Sequence, residues 1–536
     1  MALGDIINTI TMNWTKHISN NVALRSNKSL ITALMTFLLL GIILIRYYQY
    51  QLNPDGLVYI KIAKIYLMGD YGNAISAYWS PLISWLLIPF LVYGINPVYV
   101  LFSTKVLALI IGFFTLLGIG KLSYKFEMNN TIRTVILFSA VPVVLYFAYS
   151  VITPDLLLVC ILVYYFNIIF DSEYPNKLSN GLLCGLLGAL AYLSKSYAFP
   201  FFIAHFTLFN IIHYFKNIQN RKKVLKNLFI GFAVFFVISG IWIGLISQKE
   251  GEITYSTSGE FNHNLVGPES KGWGMTHYLG EVTSDGSLTP SADVKSWSPF
   301  ESWSNFKHQL KLIYTNTIDT ISIYKSFSYF SLIILFVYLM FFLKPFKKIL
   351  KDNRIYPILT VIIFSVGYLP ILVEERYLWA VYILLFLMGG YLVNELFKHS
   401  FFTTRRKSII LLVFALSFIW MPVSFLSENI NLDKEIYNMA NFIEDQYSIH
   451  GNIAVNQDNK KIAVTYLSYY LGTTYLGQTN NTSSSQLQEQ LKKYNVDFYI
   501  VWGDNNSVLN GYAEVTNGKI NALKIYSIND KVQVEN

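Results

Sequence analysis

The stretch LNPDGLVYIKIAKIYLMGDYGNAISAYWSPLISW, residues 52–85, decides the fold, because it sets polar and charged residues directly after an apolar run. That run, at 30–48, has about the 20 mostly apolar residues that a membrane helix needs. Asn53 is a good helix N-cap and Pro54 suits the first helical position. The stretch therefore predicts a helix at the membrane surface with Asp55 in its first turn.

One face of this predicted helix combines the acidic residue with aromatic and small residues. Asp55, Tyr59, Ala63 and Tyr66 recur at three- and four-residue spacing, so they share a face. Lys64 lies toward another side, where it could reach lipid head groups. A simpler interpretation is that Asp55 only stabilises the start of an interfacial helix.

The composition indicates a polytopic α-helical membrane protein. The 536 residues are 53% hydrophobic and 14% charged, whereas a soluble domain is about 25% charged. The net charge is +9, but the sequence contains no basic stripe with the motif of a nucleic-acid-binding module. We therefore expect no nucleic-acid partner. Cys160 and Cys184 lie inside apolar runs, which argues against a disulfide framework and a thiolate metal site.

Eleven apolar runs predict membrane crossings, and the run at 82–94 is shorter than a full crossing. We expect no cleavable signal peptide, since the first run begins near Ser29 and is typical of a signal anchor. The predicted crossings are 30–48, 98–120, 132–150, 154–171, 180–194, 197–215, 228–247, 327–343, 356–373, 377–396 and 408–426.

Basic residues decide the sidedness, because Lys and Arg collect in cytoplasmic loops. If 82–94 does not cross, the basic connections all fall on the side of the N-terminus; they are 121–131, 172–179, 216–227, 344–355 and 397–407. We therefore expect the segment 1–29 in the cytoplasm of a plasma-membrane protein. The segments expected outside are the first outer loop (49–96), a long loop (248–325), a short turn (373–376) and a tail (428–536).

The tail alternates strand-like and helix-like segments, which predicts a small extracytoplasmic α/β domain at 428–536. Strand patterns occur in NIAV near 453, TTYLGQ near 475 and VDFYIVWG near 499, and SSSQLQEQLKKY is typical of a helix. We find no internal repeat of fixed period.

Four charged positions fall on the outer face at similar depth in this topology. Asp155 stands at the outer end of a predicted crossing, Lys195 lies between two crossings, and Arg376 follows two glutamates in the short turn. Separately, Asp155 could cap a helix, Lys195 could reach the lipid surface, and the turn could simply be solvated. Together with Asp55 they suit an anionic, phosphorylated substrate, with cations on the phosphate and a carboxylate as general base.

In order and spacing, these motifs resemble the membrane-embedded GT-C glycosyltransferases, and most nearly the protein O-mannosyltransferases and the lipid A aminoarabinose transferase. The resemblance covers residues 30–430. The motifs that carry it are Asp55 with Tyr59 and Ala63, Gly69-Asp70, the aromatic-x-Pro-Leu segment at 79–82, Thr153-Pro154-Asp155, Leu193-x-Lys195 and Arg376-Tyr377-Leu378.

The resemblance implies a GT-C fold of about 11–13 transmembrane helices with juxtamembrane helices in the first outer loop. It further implies inverting transfer of a sugar from a polyprenyl-phosphate donor to an acceptor outside the membrane, which is a protein, a glycan or a lipid. Membrane lipids are expected as further partners. By position, the catalytic carboxylates are Asp55, as the base, and Asp155; the donor-phosphate residues are Lys195 and Arg376; and the pocket residues are Tyr59, Tyr377 and Trp79.

Two departures from the family pattern affect what the resemblance implies. Many relatives have Asp-Glu in the first loop, whereas here Gly56 follows Asp55, which argues against a metal bound through that pair. The aminoarabinose branch has a Lys-Pro-Pro turn, whereas this chain has Trp79-Ser80-Pro81. This second departure removes an expected phosphate contact and argues against lipid A as the substrate.

The long outer loop leaves metal dependence open and the cofactor unknown. Its potential ligands match no defined metal signature, so a divalent cation has no supporting motif and solvated loop residues are favoured; they are His263, His277, His308, Glu260, Glu269 and Asp285. The loop also contains GPESKGWG at 267–274 and exceeds a typical connection in length, which favours a lid or an acceptor-binding element.

Two other function classes compete with an enzyme. A transporter or flippase of a lipid-linked substrate would hold its polar site near the membrane midplane, between repeated halves, but here the charges gather at one face and no repeat is found. A scaffold that only presents the tail would leave the four charged motifs unexplained.

Overall fold

A computed structural model of the chain describes residues 28–270, 279, 295–345, 352–456, 461–479, 484–503, 509, 511–520 and 523–528. Up to Glu428 these residues form an apolar helix bundle. Its helices are α1 (Lys28–Tyr48), α2 (Pro54–Leu67), α3 (Tyr71–Ala74), α4 (Leu82–Leu91), α5 (Pro97–Leu122), α6 (Asn130–Ser150), α7 (Asp155–Ile169), α8 (Leu178–Ser194), α9 (Ala198–Lys216), α10 (Arg221–Glu250), α11 (Ser258–Leu265), α12 (Trp303–Phe327), α13 (Ser331–Leu339), α14 (Ile355–Val366), α15 (Trp379–Leu396) and α16 (Thr404–Glu428).

Seven helices within the described ranges are long and apolar enough to cross a membrane. They are Lys28–Tyr48, Pro97–Phe126, Asn130–Ser150, Ala198–Lys216, Ile218–Glu250, Glu375–Leu396 and Thr404–Glu428. Three other predicted crossings, at 154–171, 180–194 and 356–373, correspond to the shorter apolar helices α7, α8 and α14. The crossing predicted at 327–343 is part of a bent pair, since α12 and the segment Ser331–Leu343 meet at 114°.

The expectation of one long loop over 248–325 needs correction, because α11 and most of α12 lie inside it. α12 is too polar to stand out by hydropathy. Its buried face carries amides that donate to backbone carbonyls: Gln309 Nε2 to Pro370 O at 2.9 Å and Asn316 Nδ2 to Leu369 O at 2.8 Å. Hydrogen bonding to otherwise free carbonyls lets this polar helix pack against the bundle.

Close helix packing fixes the position of α8, at whose end Lys195 lies. A Cβ atom on Gly181 would approach Asn227 O to 2.5 Å, and one on Gly185 would approach Gly231 O to 2.2 Å. Glycine at these positions lets the backbones of α8 and α10 touch, as small residues do in membrane helix pairs.

After Glu428 the chain forms a five-stranded sheet with three helices. The strand order is β2-β1-β3-β5-β4; β1 runs parallel to β2 and β3, and β5 runs antiparallel to β3 and β4. The three predicted strands and the predicted helix are present, whereas α17, α18, β4 and β5 were not predicted. The elements are α17 (Lys434–Tyr447), β1 (Asn452–Val455), α18 (Lys461–Leu471), β2 (Thr474–Gln478), α19 (Ser484–Lys493), β3 (Phe498–Trp502), β4 (Ala513–Glu514) and β5 (Leu523–Ser527).

The C-terminal domain contacts the segment that leads into α2. Asp433 Oδ2 accepts from Leu52 N at 3.0 Å, and Tyr470 OH donates to Tyr50 O at 3.1 Å. Lys64, expected to reach lipid head groups, instead places its Nζ 5.5 Å from the centre of the Tyr469 ring. The first outer loop is therefore held from the side of the domain as well as from the bundle.

Candidate active site

The start of α2 is tied to the segment that precedes Asp155. Asn53 occupies the N-cap position, as predicted, but its side chain makes no capping bond. Its Oδ1 accepts from Ile152 N at 2.8 Å instead. Asp55 in the first turn of α2 and Asp155 at the start of α7 are thus held through adjacent backbone.

Gly56 is the position of closest approach between these two segments. A Cβ atom there would lie 2.7 Å from Ile152 Cβ, 2.8 Å from Asn53 Oδ1 and 2.9 Å from Ile152 O. Any side chain at 56 would push the segments apart, so the acidic residue of the Asp-Glu pattern does not fit this packing.

We expect Gly56→Ala to destabilise the protein by about 1–3 kcal/mol, the usual cost of overpacking a tight contact. The matched control is Gly72→Ala in the same loop, since a Cβ atom there meets nothing within 4 Å. Thermal unfolding of the two variants in the same detergent compares them. Equal midpoints for both variants would contradict the close contact at Gly56.

Asp155 and Lys195 form a buried ion pair. Lys195 Nζ lies 2.5 Å from Asp155 Oδ1, with the side chains 18% and 3% exposed. Thr153 Oγ1 donates to the other oxygen, Oδ2, at 2.7 Å. Burial lowers the pKa of Lys195, and the Asp155 carboxylate opposes this shift. The cap interpretation of Asp155 and the lipid-surface interpretation of Lys195 are both replaced by this pair.

Arg376 joins two carboxylates of the first outer loop and the short turn. Its Nη2 lies 2.7 Å from Asp55 Oδ2 and its Nε lies 2.7 Å from Glu374 Oε2. The Arg376 side chain is 19% exposed and that of Asp55 is 36% exposed. In the described part of the chain, Oδ1 of Asp55 receives no hydrogen bond, so this oxygen can accept a proton from a bound group.

Sequence reasoning gave Glu375 no role, although it is half-buried and held by two donors. Tyr146 OH donates to its Oε2 at 2.5 Å and Trp379 Nε1 donates to its Oε1 at 2.8 Å. Tyr146 lies within the apolar α6, where its sequence context gives no indication of a polar partner. The sequence signal that could have identified Glu375 is its position directly before the Arg-Tyr-Leu segment.

Aromatic rings lie close to Lys195, Arg376 and Asp55. Lys195 Nζ lies 3.5 Å from the centre of the Tyr377 ring. Tyr59 is buried, and its ring meets the ring of Trp79 edge to face at 5.2 Å. Burial, reinforced by the charges of Asp55 and Asp155, raises the pKa of Tyr59 well above its usual value, so Tyr59 stays a neutral phenol. The structure thus brings the predicted pocket residues close to the ion pairs.

Two cavities flank this centre. One of about 570 Å³ is mainly apolar and contains Lys195 and Tyr377 in its wall. The other, of about 450 Å³, contains Asp55 and Arg376. Tyr377 thus lines the apolar cavity, and the neighbouring residue Arg376 lines the other.

The potential metal ligands of the long loop serve as structural contacts where the structure describes them. His263 Nε2 lies 2.8 Å from Gln309 Oε1, His308 Nε2 lies 2.8 Å from Val266 O, and Glu269 pairs with Lys295 at 2.8 Å. No group of three or more His, Cys, Asp and Glu suited to a metal occurs among the described residues. His277, Asp285 and part of GPESKGWG lie outside them.

The predicted fold class, a polytopic helix bundle with a small C-terminal α/β domain, is confirmed by the structure and by its similarity to solved structures. No family model and no curated protein matches the sequence. Among solved structures, the chain is similar to the aminoarabinose transferase ArnT of Cupriavidus metallidurans, in the apo state and bound to undecaprenyl phosphate. Both match with a TM-score of 0.54 and 11% identity over 93% of this chain, and over 97% and 98% of theirs. The chain is a multi-pass membrane protein.

Proposed function

We propose that this protein is an inverting glycosyltransferase that moves a sugar from a polyprenyl-phosphate donor to an acceptor at the outer face of the plasma membrane. One observation carries the proposal: Asp55 and Lys195 line separate cavities, and the adjacent residues Arg376 and Tyr377 line one each. A transfer reaction needs such an arrangement, because donor and acceptor must meet from two sides of one reacting centre.

The apolar cavity suits the donor. Its wall combines Lys195 with apolar side chains such as Phe201, Ile363 and Leu372, as an anionic phosphate joined to a lipid chain requires. Lys195 acts on the phosphate as a point charge, and its position over the Tyr377 ring restricts where that charge can lie. The similarity to ArnT bound to undecaprenyl phosphate supports the same class of donor.

Asp55 is the general base in this proposal. Its free Oδ1 takes the proton of the attacking acceptor group, while Arg376 holds Oδ2 and so fixes the orientation of the carboxylate. Asp155 keeps Lys195 in place. A single displacement at the anomeric carbon, with the polyprenyl phosphate leaving on the side of Lys195, inverts the configuration.

Release of polyprenyl phosphate from a labelled polyprenyl-phosphate sugar tests the enzyme against the transporter alternative. We expect the purified protein in nanodiscs to release polyprenyl phosphate in the presence of an envelope extract, and Asp55→Asn to release none. A flippase would move the donor between leaflets and leave it intact. Intact donor with the wild-type protein, under conditions in which the protein is folded, would overturn the enzyme.

The outer-face placement is tested by cysteine labelling, since Cys160 and Cys184 are buried and give a low background. We expect Gly72→Cys to react with a membrane-impermeant maleimide in intact cells, and Lys398→Cys to react only after permeabilisation. Gly72 and Lys398 are both exposed, so membrane sidedness decides the difference. The reverse pattern would place the active site in the cytoplasm.

A further inference from the structure

The cavity at Asp55 and Arg376 carries a net negative charge. The described residues in its wall include the carboxylates of Asp55 and Glu374 against one cation, Arg376. A third acidic residue, Glu375, is half-buried, and both of its oxygens are held by Tyr146 and Trp379. The guanidinium of Arg376 is already engaged by Asp55 and Glu374. A ligand entering this cavity therefore meets a surplus of negative charge.

The second cation of the centre does not compensate for this surplus. Lys195 lies in the wall of the other cavity and is paired with Asp155. The turn Trp79-Ser80-Pro81 adds no charge, and Ser80 is buried. The chain therefore presents Lys195 to the donor side, and Asp55 and Glu374 to the acceptor side.

These charges distinguish two kinds of acceptor. A phosphate oxygen that attacks as an anion needs no base, and it needs cations to enter a pocket. A neutral hydroxyl needs a base to remove its proton, and carboxylate oxygens accept hydrogen bonds from its neighbouring hydroxyls. The acidic wall, Asp55 with a free oxygen, and the polar side chains of Tyr146 and Ser150 in the same wall match the second kind.

We infer that the acceptor attacks through an uncharged hydroxyl group of a glycan or other polyhydroxylated molecule without phosphate at the reacting position. The inference rests on the proposed glycosyltransferase function. The hydroxyl oxygen forms a bond to the anomeric carbon as the bond from that carbon to the donor phosphate oxygen breaks. The hydroxyl proton passes to Asp55, and the electron pair of the broken bond leaves with polyprenyl phosphate beside Lys195.

The chemical stability of the product linkage tests this inference. Envelopes of a strain that lacks the gene are incubated with labelled lipid-linked sugar from the same cells and with the purified wild-type protein or Asp55→Asn. We expect Asp55-dependent label that survives cold hydrofluoric acid, which cleaves phosphodiesters and spares glycosidic bonds to carbon hydroxyls. Prior treatment of the envelopes with phosphatase should change incorporation less than twofold.

The outcomes separate the inference from the function on which it rests. Asp55-dependent label that hydrofluoric acid removes, or a tenfold loss of incorporation after phosphatase, would overturn the neutral acceptor and leave the glycosyltransferase intact. Absence of both Asp55-dependent incorporation and polyprenyl phosphate release would overturn the glycosyltransferase itself, and the inference with it.

Discussion

Asp55→Asn is expected to lower sugar transfer by about 10²–10⁴-fold, the usual contribution of a positioned general base. Asparagine keeps the shape of the side chain and can still contact Arg376, but it cannot accept the proton of an acceptor. The loss should appear in the turnover number at saturating donor, because Lys195, which the donor phosphate is proposed to contact, is unchanged. The turnover number is measured as the rate at which polyprenyl phosphate is released.

The control for this variant is Asp70→Asn. Asp70 belongs to the same outer loop, is exposed, and accepts from Asn73 N as a helix cap, a role that asparagine fills equally well. We expect wild-type turnover for Asp70→Asn and normal expression and thermal unfolding for both variants. Near-normal turnover by Asp55→Asn would remove Asp55 from its assigned role.

Lys195→Met is expected both to abolish transfer and to destabilise the protein. The substitution leaves Asp155, 3% exposed, without its cation, and breaking a buried ion pair costs about 3–5 kcal/mol. Thermal unfolding in nanodiscs measures this loss of stability, and the assay of polyprenyl phosphate release measures the loss of transfer.

A second substitution separates these two effects. In Lys195→Met combined with Asp155→Asn, no unpaired charge remains, so the unfolding midpoint should recover most of the loss. Transfer should stay absent, since Lys195, the cation proposed to stabilise the departing phosphate, is missing. If the double variant recovers transfer together with stability, Lys195 serves only as the structural partner of Asp155.

The sequence predicts the bundle well wherever apolarity alone determines a helix. α1, α5 and α16 begin and end within a few residues of the predicted crossings. α12 escapes prediction because its buried face is polar, and its amide N–H groups donate to the carbonyls of a segment 53 and 61 residues further along the chain. Such long-range compensation leaves no local periodic signal.

The same distinction applies to the candidate site. Asp55, Asp155, Lys195 and Arg376 could be selected because charge is conspicuous in an apolar chain, and the structure brings them together in two ion pairs; their roles stay predictions. The pairing itself could not be predicted, since it depends on how the helices pack. Glu375 was overlooked because its partners lie inside apolar helices.

The contacts around residues 50–53 have a mechanical consequence. Just before α2, Leu52 N donates a hydrogen bond to Asp433 of the C-terminal domain. The neighbouring Asn53 accepts a hydrogen bond from Ile152 N, in the segment before Asp155. A displacement of the domain would therefore pull on the segment that leads into α2 and its Asp55. We therefore expect truncated or domain-swapped forms of this protein to change the alignment of Asp55 with the donor. The tail cannot be treated as an independent module.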